Sequence, residues 1–365
     1  NVPDLRFPEF SGEWVETELQ DIVPNICSGK DRISNSGEVA LYGSTGVIGR
    51  TNSASYKENI VLVARVGANA GQMQIGNAPC GVTDNTLVID AKEWNYYIYY
   101  FLQHYNLNRL VFGSGQPLIT GGMLKRIKVR YGCKAERNNI TRLLCLIDER
   151  IATQNKIIEK YESLIQAISQ KVLRPSEYWN EYRLCELADI RSGYSGNQVS
   201  HKTAYAVSRI ETISKHRIDM LRVGYVQDIP SEYKLNVGDI LFSNINSIQY
   251  IGNTAFVDKE YNLYHGMNLL RIIPKPSLVI PRFLHLILCT SMAIKHFQSI
   301  CNKAVSQASI NQTSLGKIML HIPPLTCQEQ ICNVFESVEQ RLNLEVYYLK
   351  RIQLQKNYLL RQMFI

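Results

Sequence analysis

Two stretches of this sequence share one pattern: ITRLLCLIDERIATQNKIIEKYESLIQAISQKVL at residues 140–173 and ICNVFESVEQRLNLEVYYLKRIQLQKNYLLRQMF at residues 331–364. Apolar residues recur at steps of three and four with no Gly or Pro inside, which predicts two long helices with a coiled-coil seam. Gln154 and Glu345 interrupt the two seams at equivalent positions. We expect the helices to pair antiparallel within the chain; the alternative is two independent helices that pack on their own domains. The predicted seam residues are Ile140, Leu144, Ile147, Ile151, Ile158, Ile165, Ile168, Ile331, Phe335, Val338, Leu342, Leu349, Ile352 and Leu359.

These stretches belong to an internal duplication of the chain. The sequence Glu-Leu-Gln-Asp-Ile at residues 18–22 returns as Glu-Leu-Ala-Asp-Ile at residues 186–190, and Gln116 matches Gln307 further on. The offset changes between these two matches and is constant afterwards, so the bodies vary in length and the terminal helices do not. We predict a first body at 1–135, a central helix at 136–178, a second body at 179–326 and a C-terminal helix at 327–365.

The two bodies have a mixed character. Short β-branched runs, such as residues 60–63 and 240–242, alternate with Gly- and Asn-rich turns, and each body contains one aromatic or apolar helical stretch. This pattern predicts a sheet with long loops. The expected fold class is therefore α+β: two α/β bodies separated by two long helices that form an antiparallel coiled coil, with an internal pseudo-two-fold repeat.

Composition limits the possible functions of the chain. Its 365 residues carry a formal net charge of +8, to which the first body contributes +1 and the second body +5. Such a mild basic bias is compatible with a polyanionic partner but does not establish one. Nine scattered cysteines without a Cys-x-x-Cys pair favour a reducing cytoplasm over a disulfide framework or a zinc module. No apolar run approaches the length of a membrane span.

Signatures of catalysis are absent from the sequence. The Gly-rich stretch at 43–50 lacks the Gly-Lys-Ser/Thr ending of a phosphate-binding loop. Asp228, Glu232 and Lys234 resemble a nuclease set, but three residues between the carboxylates are too few to place them on adjacent strands. The seven histidines form no His-x-Glu or His-x-x-x-His pair. We expect no active site, no metal and no cofactor.

The motifs at the ends of the segments resemble one known family. The first body opens with Leu5-Arg6-Phe7-Pro8-Glu9-Phe10-Ser11-Gly12-Glu13-Trp14, and Pro323-Pro324-Leu325 precedes the last helix. Residues 170–173 and 359–364 add the helix endings. Cys327 stands where the family usually has Glu, and Gly132-Cys133 replaces the two prolines in the first copy. Together with the duplication, these motifs resemble the DNA-specificity subunit of type I restriction–modification systems over nearly the whole chain.

This resemblance implies a division of labour. Each body would be a target-recognition domain that reads one half of a split site in double-stranded DNA, and the paired helices would hold the two bodies apart. The helices would also dock two modification (methyltransferase) subunits, and restriction subunits can join such complexes. The specificity subunit itself is implied to be non-catalytic. Two alternatives stay open: a scaffold that pairs two copies of a protein partner without binding DNA, and a nuclease with an unrecognised site.

Reading bases requires side chains that present paired donors and acceptors, namely Arg for guanine and Asn or Gln for adenine. Polar loops in both bodies offer such side chains. Any one of them could instead be a solvated loop residue or contact only a phosphate, so the loops are better candidates than their individual members. The candidates in the first body are Tyr42, Ser44, Thr45, Arg50, Arg65, Asn69, Gln72, Ser114 and Gln116. The candidates in the second body are Arg191, Tyr194, Asn197, Gln198, Arg209, Asn244, Asn246, Gln249, Lys303, Ser306 and Gln307.

Overall fold

A computed structural model describes residues 2–111, 117–303 and 307–365, with the side chain of Lys303 also left undescribed. The chain divides into two compact units. Unit 1 comprises Asn1–Ile157 and Glu345–Ile365, and unit 2 comprises Ile158–Leu344. Each unit thus joins one predicted body to a part of each long helix.

Nine α-helices lie in these ranges. They are α1 Leu19–Ile22, α2 Asn95–Tyr105, α3 Gly121–Lys125, α4 Lys134–Val172, α5 Leu184–Leu187, α6 Pro281–Leu288, α7 Ser291–Ile300, α8 Gln312–Gly316 and α9 Leu325–Gln362. Short 3-10 turns cover Lys92–Trp94, Leu107–Leu110, Ile210–Thr212 and Ser231–Tyr233.

The strands of the two units are short. Unit 1 contains β1 Val15–Glu18, β2 Ile26–Ser28, β3 Val39–Gly43, β4 Gly46–Thr51, β5 Ile60–Ala64, β6 Met73–Gly76, β7 Cys80–Val82, β8 Thr86–Ile89 and β9 Lys128–Tyr131. Unit 2 contains β10 Asn180–Arg183, β11 Ala188–Ser192, β12 Gln198–Val199, β13 Tyr205–Val207, β14 Ile213–Ser214, β15 Arg217–Ile218, β16 Gly224–Val226, β17 Ile240–Phe242, β18 Ile245–Asn246, β19 Thr254–Phe256, β20 Leu263–Tyr264, β21 Leu270–Pro274, β22 Asn302–Lys303, β23 Ala308–Ser309 and β24 Met319–Ile322.

The same four-stranded sheet occurs in both units. Its strand order is β2-β8-β5-β6 in unit 1 and β11-β21-β17-β19 in unit 2, with antiparallel neighbours throughout. A two-stranded pair leads from each body into a long helix, β1 with β9 and β10 with β24. The predicted duplication therefore reappears as one repeated topology. Unit 1 adds a sheet in the order β4-β3-β7, whereas unit 2 adds the sheet β12-β16-β13-β20 and the sheet β18-β23-β22.

The central strand β5 is apolar along its whole length because both faces of it are covered. Val61 and Val63 pack into the core beneath α2, and Ile60 and Leu62 pack into a second apolar cluster under the sheet β4-β3-β7. All five residues of the strand are buried. A continuous apolar run, without the alternation of a half-exposed strand, is the pattern expected at such a position.

The two long helices, α4 with 39 residues and α9 with 38, run antiparallel where they pair in unit 1. Leu144 shares the core of unit 1 with Leu360, and the Asp148 carboxylate accepts from the Lys356 ammonium at 2.6 Å. Further along, Gln154 donates to the Glu345 carboxylate at 2.5 Å, so the two polar interruptions of the seams meet.

In unit 2 the other halves of the same helices share a core. Ile165 and Ile168 pack against the cluster that contains Ile331 and Phe335. None of the predicted seam residues is exposed. The predicted fold class is confirmed, although α4 and α9 each begin two residues before the predicted segment boundaries at 136 and 327.

Candidate nucleic-acid interface

Two equivalent loops, one in each unit, connect a central strand of the repeated four-stranded sheet to a neighbouring edge strand. Loop A, residues 65–72, joins β5 to β6, and loop B, residues 244–253, joins β17 to β19. Each loop is closed by two backbone hydrogen bonds of the same kind. In unit 1 the Ala64 N–H donates to the Gln72 carbonyl, and the Gly71 N–H donates to the Ala64 carbonyl. In unit 2 the Ser243 N–H donates to the Asn253 carbonyl, and the Gly252 N–H donates to the Ser243 carbonyl.

A glycine in the left-handed region turns the chain at the end of each loop. The φ angle is +88° at Gly71 and +83° at Gly252. A side chain would be strained at either position, and a Cβ atom at Gly252 would come within 2.4 Å of the Phe297 ring. The two loops therefore begin and end in the same frame, while loop B is two residues longer.

Loop A lies beside the tip of the hairpin formed by β3 and β4. The Asn85 carbonyl accepts from the Arg65 N–H and from the Ser44 hydroxyl, both at 3.0 Å. The Arg65 guanidinium donates to the Ser28 hydroxyl at 3.2 Å, and the Arg65 carbonyl accepts from the Ile119 N–H at 2.8 Å. These contacts gather Ser44, Arg65 and the segment that enters α3 on one surface.

The other candidates of the first body differ in accessibility. Thr45, Arg50 and Gln72 are exposed, and Asn69 is half-buried, where its side-chain oxygen accepts from the Gln72 amide. The structure does not present Tyr42 to a ligand. Its ring is buried in the cluster under the hairpin, and its hydroxyl accepts from the Asn77 N–H, so it supports the loops from beneath. Ser114 and Gln116 lie outside the described residues.

Loop B is tied to the chain segment that precedes α8. The strand β18 within the loop pairs with β23, and the Asn244 carbonyl accepts from the Ile310 N–H at 2.9 Å, as the Arg65 carbonyl accepts from Ile119 in unit 1. The Asn246 amide donates to the Ser243 hydroxyl, and its oxygen accepts from the Ser247 N–H.

The tip of loop B presents three consecutive exposed residues, Ile248, Gln249 and Tyr250. A turn holds them in place, since the Tyr250 N–H donates to the Ser247 carbonyl at 2.9 Å and the Ile248 carbonyl accepts from the Gln298 amide at 3.2 Å. The side chains of Ile248 and Tyr250 are 45% and 50% exposed. The loop therefore places one amide between two apolar groups that face solvent.

The remaining candidates of the second body are spread over several elements. Arg191 lies on β11 and Gln198 on β12, and these residues are exposed, as are Asn197, Arg209 and Gln307. Tyr194 is half-buried against the Tyr233 ring, with 5.3 Å between the ring centroids. Lys303 lies on β22, next to β23, and Ser306 lies outside the described residues. Loop B and the strands β22 and β23 thus gather Asn244, Asn246, Gln249, the Lys303 backbone and Gln307, but not Arg191 or Arg209.

Asn85 and the apolar pair Ile248 and Tyr250 were not among the predicted residues. Asn85 had a detectable signal, because it aligns with Asn268 in the repeat, and both are exposed. The suspected nuclease set has no enclosed site: Asp228, Glu232 and Lys234 are all exposed around the turn Ser231–Tyr233. Of the helices in the described ranges, none is long and apolar enough to cross a membrane.

Comparison with known proteins identifies the family of this duplicated, two-unit chain. Residues 11–163 and 176–353 match the model of the type I restriction modification DNA specificity domain, and the chain belongs to that family. The resemblance of its motifs is thereby confirmed. Specificity subunits of type I restriction–modification systems are non-catalytic.

Two curated relatives carry corresponding names. The chain is 38% identical over 184 residues to a protein of Methanocaldococcus jannaschii named as the specificity subunit of the type I restriction enzyme MjaX, a match that covers 48% of this chain and 43% of the relative. It is 21% identical over 363 residues to a Haemophilus influenzae protein named as the specificity subunit S.HindORF215P, covering 92% of this chain and 90% of that protein.

Solved structures share the fold at low sequence identity. The S subunit of a type I restriction–modification system from M. genitalium superposes with a TM-score of 0.66 at 15% identity, over 100% of this chain and 99% of that one. A chain from a structural study of complex assembly and conformational transition in a type I system superposes with a TM-score of 0.57 at 14% identity, over 99% of both chains.

Proposed function

We propose that this chain is the sequence-specific DNA-binding subunit of a type I restriction–modification complex and that each unit reads one half of a bipartite site. The observation that carries the proposal is the pair of equivalent loops. Loops A and B begin at equivalent positions of the repeated sheet and end on equivalent glycine turns, yet they differ in length and begin with different side chains, Arg65 and Asn244. A duplicated frame with divergent loops is what two different half-sites require.

The chemistry of the loops supports base reading. Loop A offers the Arg65 guanidinium, whose paired donors match the acceptors of guanine, and the exposed Gln72 amide. Loop B offers Asn246 and Gln249, whose amides match adenine. The exposed Ile248 and Tyr250 beside Gln249 suit contact with a thymine methyl group or with an unstacked base step.

The partners are part of the proposal. A single chain with two equivalent units suits two identical methyltransferase subunits, and the long helices supply surfaces that the cores of the units leave open. Restriction subunits would join through those partners. We assign the complex to the cytoplasm, in keeping with nine cysteines that are all free.

A salt titration separates this proposal from the scaffold alternative. The full chain, with its modification subunits, should bind a duplex that carries its site, and the affinity should fall by orders of magnitude between about 50 and about 200 mM salt. A complex that assembles with the modification subunits but shows no duplex binding at low salt would leave the scaffold as the better description.

A second measurement separates it from the nuclease alternative. The purified chain alone should neither methylate nor cut DNA, because no methyl-donor or nucleotide motif is present, whereas the assembled complex should methylate it. Methyl transfer or cleavage that persists after rigorous removal of every partner would contradict the assignment.

A further inference from the structure

Three metal-ligating side chains of unit 2 converge although they are far apart in sequence. His216 lies in the turn between β14 and β15, His285 lies on α6, and Cys289 follows the end of that helix. The Cys289 sulfur is 3.4 Å from Nδ1 of His216 and 3.4 Å from Nε2 of His285. Within the described residues, this is one group of three His, Cys, Asp or Glu side chains whose ligand atoms all lie within 4.8 Å of one another.

The backbone of the hairpin that carries His216 is strained at its turn. Its two turn residues, Lys215 and His216, have φ angles of +48° and +61°, in the left-handed region. Such hairpin turns usually contain Asn and Gly, because these residues enter that region easily. A strained non-glycine pair at a tight turn is typical of positions that hold a ligand-binding side chain in place. This observation is independent of the distances within the cluster.

The two sulfur–nitrogen separations are close to those of a tetrahedral metal site. With metal–nitrogen distances of about 2.1 Å and a metal–sulfur distance of about 2.3 Å, a tetrahedral site places sulfur and nitrogen about 3.6 Å apart. Thiolate and imidazole are both ligands of Zn²⁺ in tetrahedral sites, and the same set also binds copper. We propose that Nδ1 of His216, Nε2 of His285 and the Cys289 thiolate bind one Zn²⁺ ion, with water as the fourth ligand, and that the ion fastens the hairpin to α6.

Arg282 opposes metal binding. Its Nη1 donates to Nδ1 of His285 at 2.9 Å, while its Nη2 bonds to both Glu339 carboxylate oxygens. A guanidinium only donates, so Nδ1 of His285 is the acceptor and Nε2 carries the proton in the metal-free protein. The Cys289 sulfur must also give up its proton, because the thiolate is the form that binds a metal.

Binding then has a defined proton balance. The Cys289 proton leaves to solvent, and the His285 proton moves from Nε2 to Nδ1. Nη1 of Arg282 must turn away, while Nη2 can keep its contact with Glu339. The Thr254 hydroxyl, 3.2 Å from the Cys289 sulfur, can donate to the thiolate that forms. Because Arg282 competes with the metal, its removal should strengthen binding.

Cobalt substitution of the full chain tests the site. One equivalent of Co²⁺ should give tetrahedral absorption bands and a thiolate-to-cobalt charge-transfer band, which one equivalent of Zn²⁺ should abolish. Cys289→Ser should remove the charge-transfer band. His216→Asn, chosen because Asn tolerates the left-handed turn, should weaken Zn²⁺ binding at least tenfold. Arg282→Gln should bind Zn²⁺ more tightly than the wild type.

The control is Cys133→Ser, which removes an exposed cysteine of unit 1 and should leave the spectrum unchanged. Zn²⁺ should also raise the Tm of the wild-type chain but not that of His216→Asn. The proposal is overturned if the wild-type chain gives no charge-transfer band, a result that needs no variant to fold. It is equally overturned if Cys289→Ser or His216→Asn binds as the wild type does. DNA binding plays no part in this test, so its outcome is separate from that of the proposed function.

Discussion

The repeated four-stranded sheets of the two units differ in chemistry at two equivalent positions. In unit 1 these positions hold Ile60 and Val88, which belong to an apolar cluster. In unit 2 they hold Asp239 and Arg271, an ion pair at 2.6 Å with each side chain only 4% exposed. Burial raises the pKa of Asp239, whereas the neighbouring Arg271 acts in the opposite direction. A strand frame can thus be kept while the groups that fill it change from apolar to charged, provided that both members of the pair change together.

The loops extend the same comparison to the surface. Arg65 of loop A and Asn244 of loop B occupy equivalent positions, and each carbonyl accepts from the isoleucine that precedes α3 or α8. The backbone role is shared and the side chain is not. What the duplication preserves is the support of the loop, and what it leaves free is the group presented to a partner.

Breaking the charged pair should change stability more than any other substitution considered below. Asp239→Ile should lower the free energy of unfolding of unit 2 by about 3–5 kcal/mol, because Arg271 stays buried without its partner. Asp239→Ile with Arg271→Val, which copies the pair of unit 1, should recover that loss and end level with the wild type or up to about 4 kcal/mol above it. Urea denaturation measures both.

Glu260→Gln, a charge removal at an exposed site of the same unit, is the matched control and should change little. If the double variant were as unstable as the single one, the equivalence of the two pairs would be wrong.

A smaller effect is expected at the loops. Arg65→Ala should weaken or relax one half-site by about 1–3 kcal/mol if the guanidinium pairs with a base, and Gln249→Ala should do so only at the other half. Binding is measured on duplexes with one half-site randomised at a time. Arg150→Ala, the same charge change on the exposed face of α4, serves as the control. A loss that is uniform over all sequences and disappears at higher salt would make Arg65 a phosphate contact.

The smallest expected change concerns the spacing of the half-sites. Four residues inserted after Ile157 lengthen α4 by about 6 Å, which corresponds to between one and two base pairs at about 3.4 Å per step. Pairing with the unlengthened α9 and drift of the seam absorb part of this length, so we expect one added base pair between unchanged half-sites. Tyr178 lies beyond the end of α4 and is 87% exposed. The same insertion after Tyr178 should leave the distance between the half-sites unchanged. An active helix variant with the original gap would mean that the helices do not set the distance.

Sequence alone predicted the features that depend on local periodicity. The apolar seams of α4 and α9 and the duplication of the chain follow from the spacing of residue types along the sequence. Such spacing can be read without knowing which distant residues come into contact. The structure of the loops does not follow in this way. Tyr42 was predicted to be an exposed loop residue, but the pairing of β3 with β7 buries its ring. That pairing joins segments far apart in the chain, so the sequence did not reveal it.

The same limit explains the missed cluster in unit 2. His285 and Cys289 are one helical turn apart and could have been noticed, whereas His216 reaches them only through the fold. Asn246 and Gln307 were both predicted as DNA-binding candidates. Only the structure shows that β18 pairs with β23 and that this pairing brings the two residues to one surface. Separation along the chain, more than residue type, decides what a sequence can reveal here.

We propose that the two units read two half-sites independently and that the first reader ends near residue 135. The decisive experiment exchanges residues 1–135 for the corresponding body of another specificity subunit. Methylated adenines are then mapped in cells that carry the modification subunits. We predict a site in which one half is new and the other half is unchanged. A site in which both halves change, or neither does, would contradict the claim.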